Sequence, residues 1–541
     1  MAPGKERMET MKKFLIIILC MVMVFTFTAC GGDSSGGGGE DSSGGEVIFN
    51  VAINTEYDTL NPYTTEMLLV YDWLGFMYDS LIGYDKDYNA VPKVAESWEN
   101  EGTDWIFHLR NDVYFSDGEQ LTSADVKFTF ETMADSYLYS IKTYGIDSID
   151  TPDDFTVIFH CSAGKPDMLL QQIPIVPEHI WSQQDVLTYE TTDIVGSGPF
   201  IYSAERSGPG STAFVKNENY WGTPANVDVL VFSQYDTYDT MAQALAIGEV
   251  DACYELDASV QSTIDSVEGI DAIKGEQLRF DYIGYNLLNE LLADQTIRYA
   301  LDYCFDPDQV IEMAYYGLGK RAYGPVNNDG YEYIPDDSIK RDFSIDKANE
   351  ILDEAGIKDT DGDGIREKDG KKLSFVLTTA SERWSWQQAA VNSVITNCAK
   401  AGIEITSETI GKMAMWDKCI DGNPDFDMFM DGWSGDPDPC YMMSTFIFYG
   451  EGEGYTCVSY NNEEFDKYYY LASEENDLDK RKEYVHEALD ILYKDCIYTF
   501  QEFGENIQAV NSAKWTGYEP TSRGIFANDL NDTYVNIKPV G

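Results

Sequence analysis

From residue 47 onward, short β-branched runs alternate with segments of helical period, and no period repeats. That pattern confines the chain to an α/β or mixed α+β architecture in more than one lobe. Val47-Ile48-Phe49-Asn50-Val51-Ala52-Ile53 alternates in the manner of a strand, and Thr59-Leu60-Asn61-Pro62-Tyr63 is the turn that ends it. Residues 105–110 and 113–115 read as paired strands, with further strands at 155–159, 227–232 and 373–378. Thr122 or Ser123 caps a helix carrying Phe128 and Met133. Other helical patterns occupy 241–246, 296–303, 347–355, 387–401 and 480–493, the last with Val485, Leu489, Leu492 and Tyr493 at helical spacing. A chain of 541 residues has room for two or three domains and a sizeable core.

The N-terminus carries an address rather than a fold. Met11-Lys12-Lys13 gives a positive start, residues 14–27 form an apolar run, and Thr28-Ala29 supplies the small residues a signal peptidase needs beside its cut. The run is shorter than the roughly 20 residues a spanning helix requires. Residues 1–29 are therefore expected to be a signal peptide, with Met8 or Met11 as the natural start and residues 1–10 an extension. Phe27-Thr28-Ala29-Cys30-Gly31 resembles a bacterial lipobox, in which the cysteine is diacylated and becomes the mature N-terminus. Two acyl chains anchor stably where one does not. Residues 31–45 are almost wholly Gly, Ser and acidic residues, a flexible tether without core-forming capacity. No later apolar run approaches spanning length, so the body is expected to be water-soluble and held at the outer face of the cell membrane by Cys30.

Charge narrows the partners. The formal net charge is −57, from 37 basic and 94 acidic residues. Nucleic acid is excluded, because binding would have to overcome phosphate repulsion instead of releasing counterions. Cys20 and Cys30 belong to the leader and the anchor; the other eight cysteines show no CxxC or Cys/His metal pattern and read as buried small hydrophobes. There is no GxSxG, HExxH, Walker loop or GxGxxG after a strand. His108, His160, His179 and His486 are scattered and read as structural. With so many carboxylates, pairs suited to glycoside hydrolysis arise by chance and carry no signal. An enzyme is not expected, and no cofactor is called for. One local motif stands apart: Asp359, Asp361 and Asp363, with Gly364, make the first half of an EF-hand calcium loop. The twelfth position is Gly370 where a bidentate Glu belongs, and Glu367 or Asp369 would substitute only in another geometry. A structural calcium ion on those three aspartates stands against a polar hairpin tip.

An ordered series of blocks runs through the body. Tyr78-Asp79-Ser80-Leu81-Ile82 is followed by Val91-Pro92-Lys93-Val94-Ala95-Glu96-Ser97-Trp98 and Phe107-His108-Leu109-Arg110. Phe115-Ser116-Asp117-Gly118 and Leu121-Thr122-Ser123-Ala124-Asp125-Val126 come next, then Gly196-Ser197-Gly198-Pro199-Phe200 and Asn219-Tyr220-Trp221-Gly222. Ile297-Arg298-Tyr299-Ala300-Leu301 with Asp306-Pro307, Lys347 to Leu352 with Ala355-Gly356, and Trp433 to Pro439 complete the set. In that order, over residues 47–530, they resemble the extracytoplasmic solute-binding proteins of ABC importers, family 5, the oligopeptide and dipeptide type.

The resemblance implies a two-lobed periplasmic-binding-protein clamshell (type II, cluster C) built from three segments. A discontinuous first domain would take residues 46–70, 196–285 and 512–541. A second, 71–195, would pack onto it, and the opposite lobe would run from 286 to 511, with hinge crossings near Tyr285 and Asn511. It implies a monomeric receptor that closes on a short peptide or other small solute and delivers it to a membrane permease and its ATPase subunits. A peptide needs a carboxylate for its ammonium end, a cation for its carboxylate end, and aromatic walls. By resemblance, Gly432 to Pro439 is the loop that places the aspartate for the amino terminus, with Asp436 the first choice and Asp438 the second; a plain turn is the other reading. Arg383 lies in a loop between a strand and a helix and is placed to pair bidentately with a carboxylate, unless Glu382 neutralises it at the surface. Trp384, Trp386 and Trp433 offer flat faces to a peptide side chain or equally to a sugar ring, or pack in the core. Tyr57 and Asn61, in the turn after the first strand, offer contacts from the other lobe. An oligosaccharide-binding member of the same family is the first alternative, and a secreted hydrolase a more distant one.

Overall fold

Two strands of unusual length, Asp271–Tyr285 and Tyr498–Val510, lie antiparallel at the centre of the protein. The computed structural model describes residues 45–541 apart from 66, 86–88, 135, 137–138, 328–330, 382–383, 420–424, 435–436, 448–457 and 528–531; of residues 68, 140–141, 384–386 and 532 it describes the backbone alone. The two long strands are the middle of an eleven-stranded mixed sheet. Its order is Glu404–Ile410, Ser374–Ala380, Met428–Ser434, Asp271–Tyr285, Tyr498–Val510, Ala252–Leu256, Ile48–Ile53, Val229–Gln234, Ser211–Lys216 and Phe200–Tyr202, with Gly319–Arg321 also on Tyr498–Val510.

What divides this continuous sheet is the register of its central pair. Glu276 faces Glu505, but the next pair is Phe280 with Phe503, so the first strand carries extra residues there. Such a bulge bends the strand and raises its twist. On one side of it, Ala252–Leu256 flanks the pair; on the other, residues 279–285 take Met428–Ser434 as neighbour. The cores separate at the same point. Phe49, Trp73, Phe107, Phe159, Phe232 and Tyr534 belong to one cluster, with Met241, Leu256 and Ile507 in a satellite. Phe280, Phe429, Tyr498 and Phe500 belong to another, beside a cluster of Ile283, Tyr285, Leu301, Phe375 and Val394. The protein is thus two lobes joined by one bent strand pair. The neighbours of that pair change over at residues 276–280 and 503–505.

Residues 71–195 share a core with the first lobe instead of forming one of their own: Phe107 and Phe159 lie in the same cluster as Phe49 and Phe232. They build a four-stranded antiparallel sheet in the order Ala95–Glu101, Asp104–Leu109, Thr156–Cys161 and Ile146–Asp153. The strand expected at 113–115 does not form. Asp104–Leu109 pairs with Ala95–Glu101 and Thr156–Cys161 instead, and Phe115 N donates to the Glu119 carbonyl at 2.8 Å to close a turn. Gly118, at φ +96°, makes that turn possible. The helix Ser123–Met133 starts as its sequence dictates, with Asp125 Oδ2 accepting from Thr122 N at 2.8 Å in a capping box. The seven described cysteines of the body are buried. Among the described residues no helix is long and apolar enough to cross a membrane.

Beside the bulge lies a buried charged cluster. Arg279 Nη2 donates to Asp281 Oδ1 at 2.6 Å, and the Tyr315 hydroxyl donates to Asp281 Oδ2 at 2.9 Å. Gly432 has no side chain because a Cβ there would overlap Asp281 Oδ1. Glu502, fully buried and opposite Arg321 in the ladder, joins this group. Burial first, and the Asp281 carboxylate second, push the Glu502 carboxyl well above the ordinary carboxylate range. The unfolded chain releases that proton at an ordinary value, so the folded state binds more protons in between. The stability this contributes is therefore present below the ordinary carboxylate range and lost as pH rises toward the folded value. Glu502→Gln is expected to flatten the fall of the unfolding midpoint as pH rises above the ordinary carboxylate range, a tenfold difference in proton affinity being worth about 1.4 kcal/mol. Thermal denaturation of parent and variant across that range measures the difference.

Candidate functional site

The lobes face each other across a cleft with two chambers. The smaller, of about 440 Å³, has Trp98, Trp105, Leu169, Leu170 and Arg523 on the first lobe's side. Asn327, Tyr331, Pro437, Leu478 and Arg481 face them from the second lobe, and Glu276 and Leu278 of the bent strand form the floor. The larger, of about 670 Å³, lies between Lys142, Lys165, Asp167 and Gln171 on one side and Asp438, Cys440, Tyr441 and Tyr469 on the other. The lobes touch at the edge: Asn476 Nδ2 donates to Asn100 Oδ1 at 3.1 Å and to the Gly102 carbonyl at 3.2 Å. Gly164 closes on the same place, where a Cβ would overlap the Glu474 carbonyl oxygen.

One buried ion pair positions the second lobe's wall. Arg481 sits on the inner face of the helix Leu478–Asp495, in line with Val485, Ala488 and Leu492. Its Nε donates to the Ala472 carbonyl at 2.9 Å and its Nη2 to Asp438 Oδ1 at 2.6 Å. The same Asp438 oxygen accepts from Cys440 N at 2.9 Å and caps the helix Pro439–Met443. Burial disfavours the guanidinium charge, but Asp438, together with Cys440, Tyr331 and Asp167, more than offsets it, and the arginine is held above its ordinary value. Across the chamber, Asp167 Oδ2 accepts from Lys165 Nζ and from Gln171 Nε2, each at 2.8 Å.

Of the residues singled out in the sequence, Asp438 is the one that lines these chambers, and it does so as the partner of Arg481. Asp436, Arg383 and Cys30 lie outside the described residues, and Trp384 and Trp386 open the helix Trp384–Lys400 with only their backbone described. Trp433 is the penultimate residue of the strand Met428–Ser434, opposite Phe280 and packed against the second lobe's core. Tyr57 sets its ring edge-on to Trp73 at 5.2 Å. Asn61 is buried, donating through Nδ2 to the carbonyls of Val186 and Tyr189 at 2.8 and 2.9 Å, and it ties down that loop. Three histidines do meet carboxylates that sequence spacing hides: His160 lies between Asp104 and Asp150, His179 against Asp117, and His108 near Glu99. Asp359, Asp361 and Asp363 gather with Glu367 so that one ligand oxygen of each lies within 4.8 Å of the others. Lys372 pairs with Asp361 and Asp363 there, a cation already built into the cluster. Sequence reasoning missed Arg481, Arg523, Lys165, Trp98 and Trp105 as cleft residues. For Arg481 a signal existed: a charge at i on the stripe i+4, i+7 and i+11 that otherwise faces a core.

A two-lobed fold with a lined cleft at its hinge defines a binding protein that encloses a small solute. Residues 89–455 match the model of the bacterial extracellular solute-binding proteins, family 5 Middle. The chain belongs to the family 5 extracellular solute-binding proteins, which bind and do not transform their solutes. It is 27% identical over 530 residues to the oligopeptide-binding protein AppA of Bacillus subtilis, covering 92% of this chain and 94% of that one. It is 30% identical over 391 residues to Protein XP55 of Streptomyces lividans, covering 70% of each. The structure of AppA from Bacillus subtilis in complex with a nonapeptide superposes with a TM-score of 0.72 at 23% identity, covering 92% of this chain and all of that one. The close approach at Gly164 gives a direct test of lobe closure. Gly164→Val is expected to wedge the lobes apart and weaken solute binding at least about tenfold while leaving the unfolding midpoint nearly unchanged, since the added methyls meet the other lobe only when the cleft is shut. Calorimetric titration and a scattering radius for parent and variant check it.

Proposed function

We propose that the protein captures short peptides between its lobes and delivers them to an ABC permease and its ATPase subunits. The observation that carries this is the charge balance of the cleft. Its described lining holds Lys142, Lys165, Arg481 and Arg523 against Asp167, Glu276, Asp438 and Glu474, basic and acidic in equal number. The chain as a whole has 37 basic residues to 94 acidic. A lining that gathers scarce cations and then balances them suits a zwitterion, which brings one charge of each sign. Trp98, Trp105, Leu170, Leu278 and Tyr469 add apolar surface for peptide side chains. The relative that is an oligopeptide-binding protein supports the same class of ligand. Closure follows from contacts made to both lobes at once, and the bent strand pair is the element that gives way. Asp436 takes the peptide ammonium and Arg383 a peptide carboxylate, with Trp384, Trp386 and Trp433 in reserve as walls.

Trp98 and Trp105 on the cleft wall also favour a second reading, an oligosaccharide, because indole faces stack on sugar rings. Titrating the purified protein with dipeptides, longer peptides and oligosaccharides separates the two: peptide binding at micromolar affinity or better is expected, and binding of sugars alone overturns the peptide reading. Asp436→Ala and Arg383→Ala are each expected to weaken peptide binding at least about tenfold, the scale of a lost charged hydrogen bond. If neither does, those two assignments fall.

The leader, Cys30 and the Gly/Ser tether fit the same scheme, since a diacylated cysteine keeps the receptor beside its permease while the tether leaves both lobes free to move. Cys30→Ser is expected to end incorporation of labelled fatty acid and release the protein from membrane pellets. A variant that stays lipidated and sedimenting refutes the anchor.

A further inference from the structure

Cys304, Cys398 and Cys496 share one hydrophobic cluster in the second lobe, with Leu301, Phe305, Leu352 and Val394. Cys304 is 0% exposed, and Cys398 and Cys496 are 1%. Cys304 is the last residue of the helix Gln295–Cys304, and Cys398 lies in the last turn of the helix Trp384–Lys400. These two helices pack against each other, and the Cys398 thiol is hydrogen-bonded to that of Cys304. That neighbour first, and burial second, hold the Cys398 thiol well above its ordinary value. The third sulfur is engaged elsewhere: Cys496 follows the helix Leu478–Asp495, and its thiol meets the Arg341 guanidinium. The other described cysteines belong to other clusters, Cys161 with Phe107, Cys253 with Met241, and Cys419 and Cys440 with Phe429. Cys253 Sγ donates to the Met241 carbonyl at 3.6 Å, and Cys440 Sγ accepts from Arg481 Nη2 at 3.5 Å. Cys304 and Cys398 are thus left facing each other. A thiol is a weak donor and a weak acceptor, so their contact as thiols contributes little. As a covalent bond between two helices it would contribute far more.

We propose that Cys304 and Cys398 are oxidised to a disulfide that staples the helices Gln295–Cys304 and Trp384–Lys400 inside the second lobe. The compartment permits it, since the family is extracellular and lies beyond the reducing cytoplasm. The oxidant is a disulfide of the thiol-exchange class, carried by a small thiol or by an oxidoreductase. One cysteine thiolate attacks that disulfide, its S–S bond breaks, and one sulfur of the oxidant leaves as a thiolate. The second cysteine thiolate then displaces the oxidant's other sulfur and closes the bond within the protein. Each cysteine gives up one proton and one electron, and the oxidant takes up both pairs to become two thiols. Neither sulfur is reachable in the folded protein, so the bond forms while the lobe is still open during folding. The finished core then shields it from reductants. The bond closes residues 304–398 into one loop, which holds the helices Pro307–Ala314 and Ile345–Glu354 and the strand Ser374–Ala380. Closing so long a loop restricts the unfolded chain. The inference is independent of which solute the cleft takes.

The test uses the protein exported by a bacterial host and, in parallel, the reduced full chain refolded in a mixture of oxidised and reduced glutathione. Each is denatured without reductant, its free thiols are capped with iodoacetamide, and the digest is read by mass spectrometry. A peptide pair linked through Cys304 and Cys398, lighter by two hydrogens than its separate halves, is expected, and its recovery from either preparation supports the staple. Recovery of both residues as capped thiols from both preparations overturns it, as does linkage of either one to another cysteine such as Cys496. The unfolding midpoint is then compared before and after reduction in denaturant and refolding under reductant. Loss of the bond is expected to lower the midpoint by roughly 3–8 °C. A pair of thiols that only packs would give the same midpoint in both states, which would also overturn the proposal. Cys304→Ala combined with Cys398→Ala removes both sulfurs and is expected to make the midpoint indifferent to reductant. If that variant still shifts as the parent does, the effect belongs to another pair and the staple falls.

Discussion

The register break between Asp271–Tyr285 and Tyr498–Val510 is the constraint on which the rest depends. A flat, regularly paired sheet of eleven strands would carry one continuous core on each face. The extra residues at 277–279 bend the pair, and each half of it then belongs to a different set of neighbours and a different hydrophobic cluster. Two lobes and one cleft follow from that bend. The aromatic pair Tyr282 and Tyr498, stacked at 4.4 Å, packs the second-lobe half of the strands beyond a second register break between Phe280 and Tyr282. The buried Arg279–Asp281–Tyr315 group with Glu502 sits directly against these register breaks.

The cleft that results is built unlike the surface around it. Outside, the protein is acidic; inside, basic groups appear in equal number with acids and several are held by buried partners. The Asp438–Arg481 pair shows the logic. A guanidinium so deeply buried is tolerated because Asp438 is fixed twice, by Arg481 and by the Cys440 amide it caps. Removing one member of such a pair costs about 3–5 kcal/mol, because the other is left charged and dry. The pair thus fixes the wall of the chamber before any solute arrives, and a preformed wall spends less of the binding energy on ordering.

Local chemistry made much of the fold legible. Thr122 with Asp125 announced the start of the helix Ser123–Met133, and the stripe Val485, Leu489 and Leu492 marked the helix Leu478–Asp495. Strands at 48–53, 156–161, 229–234 and 374–380 followed from alternation and β-branching. Residues 113–115 did not, because three apolar residues between two turns alternate whether or not a partner strand exists. The lengths of the two hinge strands were invisible for the converse reason: Gly275, Gln277, Gly504 and Glu505 interrupt the apolar pattern where the strands leave one core for the other. Trp433 looked like a loop residue because Gly432 and Gly435 flank it, yet Gly432 serves the packing of Asp281 inside a strand.

By itself, the sequence determined the family, the two-lobed class, the helices with strong caps and stripes, and the acidic character that excludes nucleic acid, since each rests on local spacing or on summed composition. Tertiary structure decided the cleft. Trp105, Lys165, Arg481 and Arg523 are far apart along the chain and lie in unremarkable local contexts. Only the bend in the central strand pair brings their lobes face to face. Which side chains then line the cleft depends on both lobes at once, and no single stretch of residues encodes that.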